Sequence, residues 1–370
     1  MPKEKFLLRC TSCGFVSSYM LNHVCRNCGH LVDPFYFGRP KLAGRTMRRF
    51  ADLLPFDESS FAFLLDDIPK TSLTLTEFKG AKLFLKNETL LSTRTTKDRM
   101  AVAALATMLA NAVGEFVVSS TGNSSSSFIF YTGKLGGAIK CHVFAAKSAA
   151  HRIRYQNQYS EIHMVDGDFV EAGKVAKRFA ADNGLYWEGG FFNYARREGL
   201  KTAYLEAFEQ MDYDCDVVIQ TVSSGMGILG GYKGYQEMLQ FGTMNKRVSF
   251  ICVQQDTCMP MVRAFNSGLN TMLPEFITPN PKGLAEAVLR GDPSGSYPYI
   301  CNMLRSSGGK LIAISQSSLR AARNELVSLG IDACYASAAS YAAAKHLRDA
   351  GFIKAKDRVL VMITGAQHSS

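Results

Sequence analysis

No apolar run in this sequence approaches the roughly 20 residues that a membrane helix needs, which argues against membrane-spanning helices. The opening residues, Met1-Pro2-Lys3-Glu4-Lys5, lack the apolar core of a secretory signal, so a soluble cytoplasmic protein without a membrane partner is expected. There is no long Lys/Arg run either. The net charge of +10 is dispersed along the chain. That dispersal speaks against nucleic acid as a partner and suits attraction of phosphorylated small molecules. No internal repeat and no low-complexity tract is evident.

What is present is length and apolar content. With 370 residues, 47% of them hydrophobic, the chain has room for two domains and a small module. Six of its ten cysteines are scattered (Cys141, Cys215, Cys252, Cys258, Cys301 and Cys334), mostly in apolar surroundings, as buried free thiols are. A chain of this size in a reducing compartment does not need disulfides. The other four fall in two knuckles, Cys10-Thr11-Ser12-Cys13-Gly14 and Cys25-Arg26-Asn27-Cys28-Gly29, with eleven residues between Cys13 and Cys25. A tight C-x-x-C turn lets two thiolates reach one ion, and the glycine after it permits the turn. A structural zinc ribbon over residues 1–34 is expected, with Cys10, Cys13, Cys25 and Cys28 as ligands. The matched second knuckle argues against a redox pair. His23 and His30 read as surface residues nearby.

Residues 34–75, with Pro34, Pro40, Pro55 and Pro69, read as a linker and lead-in. From residue 81 onward strands and helices alternate. Strands are expected at 81–86, 116–120, 139–144, 161–165, 217–222, 247–253, 310–315 and 358–363. Helices are expected at 100–113, 169–182, 200–211, 229–240, 316–329 and 337–350. The alternation defines an α/β architecture with mainly parallel sheets. Residues 278–302, with several Gly and Pro, read as a loop-rich excursion.

The segment Thr95-Thr96-Lys97-Asp98-Arg99 joins the first of these strands to the first helix. Thr95 and Asp98 fit a [ST]-x-x-[DE] helix start, which puts Lys97 in the first turn. The helix N-terminus disfavours a cation there, so this lysine loses its proton more easily than a free one. A neutral amine is what forms a Schiff base with an aldehyde cofactor. Taken alone, a lysine so placed is an ordinary surface residue.

Three later stretches add to it. Ser119-Ser120-Thr121-Gly122-Asn123-Ser124 follows a strand and opens a helix, an arrangement that binds anions; alone it is a Ser-rich turn. Gly225-Met226-Gly227-Ile228-Leu229-Gly230 satisfies G-x-G-x-x-G after a strand. A dinucleotide site must be weighed, but the acidic residue due about 20 positions on is missing at a strand end, and Asp256 lies too far along. A phosphate cup draws on the same physics of exposed N–H groups at a helix start. Thr364-Gly365 ends the last strand.

In this order the four motifs resemble the fold type II pyridoxal-phosphate (PLP) enzymes, above all the threonine synthase family. Its lysine segment reads like S-F-K-D-R, so Thr95-Thr96 departs while Lys97-Asp98-Arg99 holds. The resemblance covers about residues 80–370, and Asp52-Leu53-Leu54-Pro55 is similar to the family's entry segment. It implies a tryptophan synthase β-like fold with two open, twisted, mainly parallel sheets. A large cofactor domain would take residues 35–92 and 205–370, and a small substrate domain 93–204. Lys97 would hold PLP and then move the α proton. Asn123 would meet the cofactor's phenolic oxygen, while Ser120, Thr121 and Ser124 handle substrate. Ser223, Ser224, Gly225, Met226 and Gly227 would form the phosphate cup. Thr364 would meet the pyridine nitrogen with a neutral hydroxyl, which suits elimination and replacement more than transamination.

The segment Asn193-Tyr194-Ala195-Arg196-Arg197-Glu198-Gly199-Leu200-Lys201-Thr202 is similar to the family's N-P-x-R-x-E-G-Q-K-T. It puts Arg196 on the substrate phosphate, with a surface salt bridge as the plainer reading. Tyr194, Leu200 and the stretch Cys334–Ala339, where the family shows E-P-x-x-A-A, depart from the pattern. Family members often carry an N-terminal ribbon. The resemblance implies a homodimer acting on a phosphorylated amino acid, with no nucleic-acid partner. The leading activity is conversion of O-phosphohomoserine and water to threonine and phosphate. The alternatives are β-replacement on O-phosphoserine or another β-activated amino acid, as in cysteate synthase, and a protein that binds PLP or a metabolite without turnover.

Overall fold

The structure, a computed structural model, describes residues 5–120, 122–167 and 169–368. It begins with a small antiparallel sheet of β1 (Phe6–Cys10), β2 (Val16–Ser17) and β3 (Val32–Tyr36), in the order β2-β1-β3. The first knuckle closes the β1–β2 turn. Gly14 and Gly29, one after each knuckle, both take positive φ, as the tight turns require. A short helix α1 (Ala62–Asp66) follows.

Next come a hairpin of β4 (Leu73–Phe78) and β5 (Ala81–Asn87), then α2 (Lys97–Ala110), β6 (Glu115–Ser119), α3 (Asn123–Lys134), β7 (Lys140–Ala146) and β8 (Ser160–Val165). They are followed by α4 (Phe169–Asp182), β9 (Tyr186–Trp187), α5 (Tyr194–Gln210), β10 (Val217–Thr221), α6 (Met226–Gln240) and β11 (Ser249–Gln255). The last elements are α7 (Pro260–Asn266), α8 (Tyr297–Ser307), β12 (Lys310–Ile314), α9 (Gln316–Ser328), α10 (Tyr335–Asp349) and β13 (Arg358–Ile363).

The chain forms two compact units. One holds residues up to Lys70 and Lys97–Leu200; the other holds Thr71–Thr96 and the residues from Lys201 onward. Residues 35–70, expected with the large domain, group instead with the unit that carries the small antiparallel sheet. In that unit a four-stranded parallel sheet runs β8-β7-β6-β9. Helix α4 packs on one face, setting Ala172, Ala176 and Ala180 against Val117, Phe144 and Val165. The alanines recur every four residues, so one narrow stripe faces the strands.

The second unit is built on a six-stranded sheet, β12-β11-β10-β13-β5-β4, parallel except for β4. Its strands read as near-continuous apolar runs, Val217-Val218-Ile219 and Val359-Leu360-Val361 among them, as strands buried on both faces do. The Ala-rich α10 lies close on this sheet, and Leu319 and Leu326 of α9 close the same core. Burial of each such leucine contributes about 1.5–3 kcal/mol.

The expected α/β architecture holds, with boundaries that move by a few residues. Two segments differ more. Helix α5 starts at Tyr194, six residues before the expected start; the family's proline would fall on this first helical position, where a missing N–H is tolerated, so the pattern is compatible with a helix from there. The excursion at 278–302 ends inside α8, whose Pro298 sits in the first turn, where a missing N–H costs nothing. Among the described residues no helix is long and apolar enough to cross a membrane.

Candidate active site

Three neighbouring parallel strands of the six-stranded sheet, β5, β13 and β10, end side by side, and each is followed by one of the sequence motifs. The C-terminal edge of a parallel sheet is where open α/β folds place ligands. After β5 comes the run to Thr96. Its N–H donates to the Thr364 carbonyl at 2.9 Å, and the Thr95 hydroxyl donates to the same oxygen at 3.2 Å. The Thr95 hydroxyl hydrogen is thus directed at the end of β13. Thr364 itself remains partly exposed.

The stretch Cys334–Ala339, in which the sequence showed only a departure from pattern, fixes this strand end. The Ser337 hydroxyl donates to the Gly365 carbonyl at 2.9 Å and accepts from the Gly365 N–H at 3.1 Å. The Cys334 N–H reaches the same carbonyl at 3.0 Å.

After β10 comes the glycine loop. Gly225 is left-handed (φ +80°), and a side chain there would overlap Ile300. A Cβ on Gly227 would come within 2.8 Å of the Gln220 side chain. The first i→i−4 bond of α6 joins the Leu229 N–H to the Gly225 carbonyl, so the N–H groups of Met226, Gly227 and Ile228 precede the helical ladder. Met226 is buried and offers its backbone alone, whereas Ser223 and Ser224 are partly exposed and offer hydroxyls. This cradle suits a phosphate dianion at a 15-residue helix start. The helix-packing role of a fingerprint glycine falls to Gly231 and Gly234, where a Cβ would press on Tyr204 and Lys201 of α5.

Lys97 is the first residue of α2, as expected. It keeps some accessible surface but has protein packed densely around it. Burial and the nearby Arg196 guanidinium bring its amine down to about 8, so about a tenth of it is neutral at pH 7, far more than for a free lysine.

The second anion-type loop belongs to the same unit. Gly122 takes φ +140°, and a Cβ there would meet Arg152 at 2.6 Å. Asn123 opens α3, and its Oδ1 accepts from Arg154 at 3.3 Å. The Ser124 hydroxyl points to Met100 of α2 at 3.8 Å, which ties this loop to the helix that Lys97 begins. Ser120, expected to handle substrate, also has a local task. Its hydroxyl accepts the N–H groups of Gly122 (3.3 Å) and Ser125 (3.2 Å), so it shapes the loop. Among the described residues no protein acceptor meets the N–H groups of Asn123 and Ser124. The Ser125 hydroxyl is fully buried and has no hydrogen-bond partner among the described residues. Such orphans are what a bound polar ligand satisfies. Thr121 lies outside the described residues.

Arg196 is neither a surface residue nor an open fork. It is nearly buried over the Phe128 ring, and its Nε and Nη2 donate to the two carboxylate oxygens of buried Glu188. Asn193 and the Gly190 N–H complete the carboxylate's partners. The expected phosphate-gripping fork is therefore closed by an internal carboxylate that the sequence did not reveal.

The ribbon sheet holds this same segment. Arg197 donates to Asp33 at 2.6 Å and to the Val32 carbonyl at 2.9 Å, and the Tyr36 hydroxyl donates to Glu198 at 2.7 Å. His23, expected as a surface residue, sits against Trp187 and Tyr186. Its Nε2 lies 3.0 Å from the Trp187 carbonyl, and burial holds its pKa below the usual histidine value. Gly189 exists to admit it, since a Cβ there would come within 2.5 Å of the ring.

The four knuckle cysteines converge. Sulfur separations are 3.5 Å (Cys10–Cys28), 3.6 Å (Cys13–Cys25) and 3.5 Å (Cys13–Cys28). A disulfide needs about 2.05 Å. Thiolates on a tetrahedral zinc, at about 2.3 Å from the ion, lie about 3.8 Å apart. Backbone N–H groups of Ser12, Cys13 and Asn27 point at Cys10 and Cys25 sulfurs, which suits thiolates. The set fits a zinc ion.

The fold and these motifs define a fold type II PLP enzyme, and comparison with known proteins agrees. The family model "Pyridoxal-phosphate dependent enzyme" matches residues 65–365. The chain belongs to this family and is a PLP-dependent, lyase-type enzyme. It is 26% identical to a threonine synthase of Methanosarcina acetivorans, over 97% of this chain and 91% of the relative. It is 24% identical to a cysteate synthase of Methanoculleus marisnigri, over 99% and 90%. Among solved structures, a pyridoxal 5'-phosphate-dependent aspartate racemase superposes with a TM-score of 0.68 at 17% identity, over 85% of this chain and 97% of the other.

Proposed function

We propose that the chain removes or replaces a phosphate leaving group on the side chain of a phosphorylated amino acid, forming threonine and phosphate from O-phosphohomoserine and water. The observation that carries this reading is Lys97 with its lowered pKa at the head of α2, tied through Ser124 to a loop whose Asn123 and Ser124 N–H groups meet no acceptor among the described residues. The threonine synthase relatives support the choice of substrate.

Bound PLP supplies an electron sink that acidifies the α hydrogen and lets a β or γ substituent depart. Lys97 anchors the cofactor and, once released by substrate, takes and returns the proton at Cα. Asn123 would meet the phenolic oxygen of the bound cofactor, and the Asn123 and Ser124 N–H groups would bind the substrate carboxylate. The start of α6, with Ser223 and Ser224, binds the cofactor phosphate. Thr364 presents a neutral hydroxyl to the ring nitrogen. The four knuckle thiolates hold a structural zinc, and the working form is a homodimer.

The similarity to cysteate synthases favours a second reading, replacement at the β carbon of O-phosphoserine. Cysteate carries a sulfonate on that carbon, so sulfite would be the nucleophile. The test is to incubate the holoenzyme with each phosphorylated amino acid, with and without sulfite, and to measure phosphate release and identify the product. Threonine from O-phosphohomoserine supports the first reading. Cysteate formed only from O-phosphoserine and sulfite would replace it. No turnover of any β- or γ-activated amino acid, by protein that binds PLP, would favour a binder without catalysis.

A further inference from the structure

The four-stranded sheet carries a second cluster of metal-ligating side chains that the PLP chemistry does not use. His142 on β7 pairs in register with Glu161 on the edge strand β8, and His163 lies two residues beyond Glu161 on the same face. His142 Nδ1 is 3.1 Å from His163 Nε2 and 3.4 Å from Glu161 Oε2, and His163 Nε2 is 3.6 Å from Glu161 Oε1. Two donors bound to zinc at about 2.0–2.1 Å and at the tetrahedral angle lie about 3.4 Å apart. The two nitrogens face different oxygens of the one carboxylate, and one donor atom from each of the three residues lies within 4.8 Å of the other two, close enough to share one ion.

The surroundings match what a metal site needs. The other nitrogen of His142, Nε2, lies 2.6 Å from Glu115 Oε1 at the start of β6. That carboxylate takes the Nε2 hydrogen and leaves a lone pair on Nδ1, facing the cluster. An outer carboxylate on a ligating imidazole is the usual way a protein fixes tautomer and ring angle. The His163 ring stacks on Phe144 at 4.3 Å and 11°, and Phe179 of α4 packs against both imidazoles. The rings are therefore held in place before any ion arrives. Without a cation, His163 Nε2–H can donate to the His142 Nδ1 lone pair at 3.1 Å, while Glu161 Oε2 stands 3.4 Å from the same nitrogen with no hydrogen between them. A divalent cation converts that opposition into coordination.

We propose that His142, His163 and Glu161 form a second metal site, for a zinc-class divalent ion, with Glu115 as its outer carboxylate and water in the fourth position. Two imidazoles suit zinc, copper and nickel more than magnesium or calcium, and zinc accepts a carboxylate beside them. Glu161 is mostly exposed, so the ion enters from solvent. The site staples β8, an edge strand, to β7. Glu115 opens β6 and His142 and Glu161 lie early in β7 and β8, with His163 just past the middle of β8, whereas the Ser120 loop follows the opposite end of β6.

The probe is Zn²⁺ alone, titrated into holoenzyme that already carries its ribbon zinc. Uptake is followed by calorimetry, and ligation by X-ray absorption. Wild-type protein should take one further equivalent, with nitrogen and oxygen neighbours, and melt at a higher temperature in its presence. His163→Ala should lose that equivalent. Glu161→Gln, at an exposed position that leaves folding intact, should weaken it tenfold or more, and Glu115→Gln should weaken it about tenfold. The proposal is overturned if wild type takes up no zinc beyond the ribbon's equivalent, if the added zinc shows sulfur neighbours, or if Glu161→Gln binds as wild type does.

Discussion

Arg196 and Glu188 meet side-on in a nearly buried ion pair, two nitrogens to two oxygens. The arginine sits in the first turn of α5 and the glutamate just beyond β9, so the pair fixes how the chain passes from strand to helix. Burial is the main cause of the lowered pKa of Lys97, and the Arg196 guanidinium adds to it.

Arg196→Ala leaves a buried carboxylate without its counter-ion, at a cost of about 3–5 kcal/mol in stability. Because the fork is engaged by Glu188, turnover should fall by a similar factor on a phosphorylated substrate and on an acetylated analogue. Thermal unfolding and kcat/KM on both substrates check this. A loss confined to the phosphorylated substrate would restore Arg196 to direct phosphate contact.

Lys97→Ala should abolish turnover and covalent attachment of the cofactor, while the α6 start still binds PLP reversibly. Borohydride reduction followed by peptide mass analysis is the measurement. Label on any other lysine would move the anchor.

A lysine amine at about 8 gives two pH signatures in cofactor-free protein. The rate of PLP capture follows the neutral amine, so it rises about tenfold per pH unit below 8 and levels above. Stability follows proton binding. Between about 8 and the ordinary 10.5, the unfolded chain holds a proton on Lys97 that the folded chain has released. Stability relative to Lys97→Met therefore rises with pH across that window. Denaturant titrations of both proteins at several pH values test the sign.

Ser337→Ala removes a hydroxyl that both donates to and accepts from Gly365. It leaves a buried N–H unmet, at about 1–3 kcal/mol. Since Gly365 follows Thr364, PLP affinity and the cofactor's absorption should change as well. A stability loss with unaltered cofactor spectra would limit Ser337 to the fold.

Removing the ribbon metal should disturb more than the ribbon, because Asp33, Tyr36 and His23 hold residues 186–198. Chelated or Cys10→Ser protein should show faster amide exchange in that segment, together with reduced turnover per folded molecule. Exchange changes confined to residues before Tyr36 would mark the ribbon as energetically separate.

The fold class and most elements were legible because apolar parallel strands and periodic helices leave strong local signals. Lys97, Gly225 and the knuckle cysteines were legible because their spacing carries the chemistry. Glu188 was not, since a lone acidic residue after a short strand gives no sign that it closes on Arg196. His23 looked like a surface residue for a similar reason: its partners Tyr186 and Trp187 are more than 160 residues away. Ser337 was hidden inside a stretch that showed only a mismatch. The cluster at His142 depends on strand register, which the sequence does not state.

The strand order of the larger sheet has a consequence for biogenesis. β13 sits between β10 and β5, so Arg358 pairs with Lys82 across about three quarters of the chain. While the chain is being synthesised, β5 and β10 wait without their shared neighbour, and both present open pairing edges. Such long-range closure is slow, and waiting edges invite association between chains. A chain cut short before β13 therefore loses the middle of its sheet, and the strand end bearing Thr364 never forms. Synthesis through β13 thus precedes assembly of the edge where the motifs line up.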